Sequence, residues 1–163
     1  MALNYATPDT PACTSFNSLA SSTTTGAASA ASVTTSTTNN VVDYILTVKI
    51  TAGAITPSAA TNVILFLVGS DDGANWAGGA ATAEVFDGTN KAITLSAVSN
   101  NLRFAGSINC HTASIAYISQ PISVASIFGG ILPKKWQVVI QNQSGVALAA
   151  SGNFVQAQAI YYN

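Results

Sequence analysis

The chain has 163 residues, only 7% of them charged, and its formal net charge is −1. Ordinary soluble domains carry about 25% charged residues. The balance therefore excludes a phosphate-backbone binder, which needs a basic excess, and a disordered acidic tail as well. One domain fits this length, and it can bury roughly 70% of its unfolded-chain surface without cross-links. Mean hydropathy is +0.38. The longest apolar run, Val63-Ile64-Leu65-Phe66-Leu67-Val68, ends at Gly69, far short of the about 18 residues of a membrane helix. The opening MALNYATPDTPAC has no basic n-region and no apolar h-region, so neither a secretory signal nor a membrane partner is expected.

Residues 1–40 read as an N-terminal arm, extended or flexible. From Ala20 to Thr38 every residue is Ala, Ser or Thr except Gly26 and Val33. Such a stretch buries too little apolar area to offset its own ordering entropy. It is expected either as a flexible tail or thin edge strand, or as a Thr-rich arm that orders on a neighbouring subunit. Cys13 lies in a Pro/Thr/Ser segment and Cys110 ends a strand-like run. Two distant thiols without a signal peptide are expected to stay reduced.

From Asn40 onward the pattern has period two, as in half-buried strands. In 43–51, Tyr44, Leu46, Val48 and Ile50 share one face. Strands are predicted at 62–69, 82–86, 91–96 and 101–108, the last with Leu102, Phe104 and Ile108 on one side. Segment 114–127 is predicted as a longer strand bent at Pro121, which cannot donate to a central ladder. In 135–142, Trp136, Val138 and Ile140 face inward. The closing strand, 153–162, carries Val155, Ala157, Ala159 and Tyr161 on one face. Phe154, Ile160 and Tyr162 lie on the other, around Gln156 and Gln158. About eight short strands with Gly, Pro and Asn between them, and no 3.6-residue period, predict an all-β fold. The expected architecture is a single-domain antiparallel β-sandwich, jelly-roll-like, over 41–163.

Chemistry is sparse. The carboxylates are Asp9, Asp43, Asp71, Asp72, Glu84 and Asp87, and the single histidine is His111. Asp71-Asp72 sits among turn residues, and its Gly falls too early for a calcium loop. His111 adjoins Cys110, but neighbours on a strand point apart and no further ligand cluster exists. No nucleophile elbow, phosphate loop or zinc-protease helix is present. No catalytic, cofactor-binding or metal residues are therefore assigned, and the protein is not expected to be an enzyme. Lys134-Lys135 reads as a strand entrance, and no nucleic acid is expected as a partner. Trp76, in the Gly-rich segment SDDGANWAGG, is either an anchor of its own loop or an exposed platform for a glycan. The sequon Asn142-Gln143-Ser144 carries no weight without secretion.

Several stretches carry a resemblance. They are Asp43-Tyr44-Ile45-Leu46, Lys49-Ile50-Thr51-Ala52-Gly53 and Ile64-Leu65-Phe66-Leu67-Val68-Gly69-Ser70. Further on come Pro121 to Gly130, Pro133-Lys134-Lys135-Trp136 and Gln141-Asn142-Gln143-Ser144-Gly145. Across roughly two-thirds of the chain these resemble a family of small tailed-bacteriophage virion proteins. The resemblance implies a jelly-roll-like structural protein that decorates or cements a capsid, located in the virion. In that role the partners are the major capsid protein and copies of itself, and matching three-fold positions of a lattice favours a homotrimer. The alternative is a glycan-binding host-recognition module of a tail or head fibre, using Trp76. Candidate contact residues are Phe128, Ile131 and Leu132 in a Gly-rich connection, and Phe154, Ile160 and Tyr162 on the last strand, with 14–40 as a third region.

Overall fold

The computed structural model describes residues 2–22, 27–37, 40–57, 62–76, 86–95 and 102–163. Two antiparallel sheets pack face to face as a β-sandwich. One sheet has the order β1 (Leu3–Tyr5), β11 (Phe154–Tyr162), β4 (Asn40–Thr51), β8 (Ala116–Ile118), with β9 (Ile122–Ser123) also paired to β4. The other runs β6 (Lys91–Ile93), β2 (Ala27–Ser29), β10 (Lys135–Gln143), β5 (Asn62–Ser70), β7 (Arg103–Asn109), with β3 (Val33–Thr34) also on β10.

Alternation builds the core. Tyr44, Leu46, Val48 and Ile50 of β4 meet Val63, Leu65 and Leu67 of β5 and Trp136, Val138 and Ile140 of β10 in one buried cluster. The Tyr44 ring stands edge-on to the Trp136 indole, with centroids 5.4 Å apart. Each large apolar side chain buried here contributes about 1.5–3 kcal/mol. The β10-containing sheet is covered on its outer side too. Phe86, Ala27, Val68, Ile93 and Val139 form a second cluster, with Phe66, Trp76, Leu95 and Leu102 packed against it. This double burial explains why Trp136 to Asn142 are all buried. The polar Gln137 sits on the covered face. Its Oε1 accepts from the Gly88 N–H (2.9 Å) and its Nε2 donates to the Ala30 carbonyl (3.4 Å).

Residues 1–40 do not stand off as an arm: their described residues are built into both sheets. β1 pairs with β11, β2 lies between β10 and β6, and Phe16 is fully buried. Small side chains make this possible. Ala27, Ala28 and Ser29 fit where bulkier residues would not, and the Ser29 hydroxyl donates to the Thr89 carbonyl (2.8 Å). The region 14–40 is thus packed on its own chain in its described residues.

Segment 114–127 is not one bent strand. β8 and β9 flank Pro121, and the chain then turns into α1 (Val124–Ile127). Asp43 drives that turn, accepting from the Ala125 N–H (2.8 Å) and the Ser123 hydroxyl (2.6 Å), while Ser123 caps the Ser126 N–H (3.2 Å). In β7 the predicted face is split. A register irregularity opposite Leu65/Phe66 sends Ile108 into the core, while Phe104 points outward, edge-on to Phe66 at 6.4 Å. Of the strand predicted at 82–86, residues 82–85 lie outside the described residues.

Candidate functional site

Two surfaces gather the residues singled out in the sequence. The first is the outer face of the β1-β11-β4-β8 sheet. Val155 and Ala157 point inward, so Gln156, Gln158 and Ile160 point outward by alternation, while Phe154, at the start of the strand, is partly buried and also packs against the core cluster. The register places Tyr5 opposite Ile160, and Leu3 opposite Tyr162. Leu3 is 47% exposed and Tyr5 59%, so the four form an apolar corner. At the far end Lys49 lies opposite both Phe154 and Ile118, with its Nζ 5.4 Å from the Phe154 ring centre. Between the ends lie Gln156, Gln158, Thr47 and Ile45. The strip from Phe154 to Tyr162 is about 26 Å long at strand rise. Its charged groups are Lys49, held over an aromatic ring, and Asp43, turned to its caps.

The second surface is a groove at the end of the sandwich where β5 leaves the sheet. One part, about 290 Å³, is lined by Gly69, Asp71, Arg103, Phe128, Ile131 and Pro133. A neighbouring part of about 390 Å³ shares Gly69 and Asp71 and adds Asp72, Asn75 and Trp76. Gly69 is the floor: a Cβ there would come within 2.8 Å of the Pro133 ring and 3.0 Å of Phe128. Arg103 lies over the Phe128 ring (5.6 Å) and donates to the Ile127 carbonyl at 3.4 Å.

Asp72 organises the loop. It accepts from Ser70 Oγ (3.1 Å), the N–H groups of Ala74 (2.8 Å) and Asn75 (2.7 Å), and Asn75 Nδ2 (2.6 Å). Those bonds, the Ala74 N–H first, hold its carboxyl well below the usual carboxylate range. Asp71 makes no hydrogen bond or ion pair among the described residues. Trp76 is half-buried against the outer cluster, with its Cζ2 2.8 Å from where a Gly88 Cβ would be.

The predicted contact residues therefore separate. Phe128 and Leu132 are partly buried and pack against the core, whereas Ile131 is 78% exposed. Ile160 and Tyr162 lie on the sheet face, and Phe154, on the same strand, is partly buried against the core. The sequence reading missed Leu3, Tyr5, Asp71 and Arg103. The alternation of Leu3 and Tyr5 was the available signal for the first two, but nothing local marks Asp71 and Arg103, which meet only through the fold.

The remaining titratable groups have structural surroundings. Asp87 is partly desolvated, which raises its pKa. Its bonds to Lys91 Nζ (2.8 Å) and to the Thr89 hydroxyl and N–H (2.6 and 2.9 Å) outweigh this and bring it down to about 2. Cys110 is fully buried, and desolvation pushes its thiol up to about 11, while His111 beside it is exposed with its ring 5.4 Å from Tyr117. Neither Cys13 nor Cys110 is in a disulfide. Among the described residues no three His, Cys, Asp or Glu side chains cluster as metal ligands, and no helix is long and apolar enough to cross a membrane. The sequon asparagine, Asn142, is fully buried and tied to the Leu19 and Val146 carbonyls and the Ser144 N–H. No family model, no curated protein and no solved structure compared with this chain gives a match.

Proposed function

We propose that this chain is a non-enzymatic structural protein of a tailed-bacteriophage virion, a jelly-roll-like subunit that decorates or cements the capsid. The observation that carries the reading is the outer sheet face, where Leu3, Tyr5, Ile118, Ile160 and Tyr162 lie beside Thr47, Gln156 and Gln158, with Lys49 and Asp43 as the charged groups of the strip. A single-domain surface that leaves aromatic and aliphatic groups in one strip suits a permanent contact. Proteins that attach only to the assembled shell stabilise that state by mass action. The partners in this reading are the major capsid protein and further copies of the chain, a homotrimer at a three-fold position being favoured. Spending Asp43, Asp72 and Asp87 on turns and caps agrees with a scaffold role.

The test is co-sedimentation of the purified chain with shells of its source particle stripped of it. The expected result is saturable binding that Ile160→Lys and Tyr5→Lys abolish while both variants keep the wild-type melting temperature within a few degrees. Undiminished binding by folded variants would remove the sheet face as the contact surface.

A further inference from the structure

We propose that the groove between the 71–76 loop and the 128–133 connection binds a neutral saccharide, with Asp71 and Arg103 as its polar contacts and Trp76 and Ile131 as its apolar platform. Such a site is independent of the virion role. Asp71 and Arg103 are both exposed and line one concavity, yet no ion pair joins them within 4.0 Å. Among the described residues Arg103 spends one donor on the Ile127 carbonyl, at the long distance of 3.4 Å, and Asp71 accepts no hydrogen bond, so most of the guanidinium fork and both carboxylate oxygens remain for a ligand. Two opposite charges that face the same space without neutralising one another ask for a ligand that donates and accepts at once. A pyranose does so through its hydroxyls, each of which is donor and acceptor.

The apolar part of the groove fits the same ligand. A pyranose has a C–H face that stacks on aromatic or aliphatic surface, and the groove offers Trp76 at one end and Ile131, 78% exposed, with Phe128 and Pro133 at the other. Both parts are also held in place before any ligand arrives. Asp72 fixes the loop through four hydrogen bonds, Gly88 seats the indole, and Gly69 leaves the floor open between them. Pre-ordering of this kind lowers the entropy lost on binding. The two parts, about 290 and 390 Å³, suit a ligand of one or two rings.

The experiment is titration of the full ¹⁵N-labelled chain with methyl glucopyranosides, methyl galactopyranosides, lactose, maltose and chitobiose, followed by NMR. The expected result is a saturable shift of the Trp76 indole N–H and the Arg103 Nε–H with at least one probe. Asp71→Asn and Arg103→Gln should each weaken that probe about tenfold, as expected for a lost hydrogen bond to a charged group, without moving the melting temperature. Absence of shifts at both resonances for every probe overturns the proposal. So does binding that neither variant weakens.

Discussion

Single residues carry much of the order in this chain, and three make that testable. A Cβ on Gly53 would run into the Ala147 carbonyl, to which the Gly53 N–H already donates (3.1 Å). Gly53→Ala should therefore cost about 3 kcal/mol, seen as a melting temperature lower by roughly 10 °C. Asn142→Ala removes three bonds from a buried turn and should cost about 3 kcal/mol in urea unfolding. The acid limb follows from Asp87. Its folded pKa of about 2 lies below the ordinary 3.8, so its stabilisation is present above pH 4 and disappears as pH falls through 2. Both side chains are about a third exposed, so solvent screening limits the effect to about 1 kcal/mol. Asp72 is lowered by its hydrogen bonds and acts in the same direction. Thermal melts should be lower below pH 4 than between pH 5 and 7, and Asp87→Asn should flatten that fall.

At the scale of elements, legibility depended on whether local spacing or distant partners set the direction of a side chain. Tyr44, Leu46, Val48 and Ile50 of β4 and Trp136, Val138 and Ile140 of β10 face the shared core as their period-two spacing predicts. Signals failed where tertiary partners decide. The Ala/Ser/Thr run lacks apolar bulk, yet its smallness is what lets β2 sit between β10 and β6. No sequence period reveals the Gly106 irregularity that turns Phe104 outward, and α1 depends on Asp43, some eighty residues before it. The groove was half legible: Trp76, Phe128 and Ile131 stood out as aromatic or apolar among glycines, whereas Asp71 and Arg103 come together only when β5 and β7 pair. Asp43→Ala should uncap α1 and cost about 1–2 kcal/mol, measured by thermal unfolding. Because α1 leads into Phe128 under Arg103, the same variant should shift the Arg103 Nε–H resonance.

The whole molecule is a β-sandwich with few charges, of which Asp43, Asp72, Asp87 and Lys91 brace local turns; among the described residues one sheet carries a second apolar cluster on its outer side and the outer face of the other carries none. Attachment through such a face depends on apolar contact, so dissociation from shells should change little between low and high salt; a steep salt dependence would point to an ionic clamp. The most direct test of the decoration role is the number of copies of this chain per major shell protein in purified particles of its source, by quantitative mass spectrometry. Decoration of the capsid predicts hundreds of copies distributed over the shell. A handful per particle, or none, would contradict it.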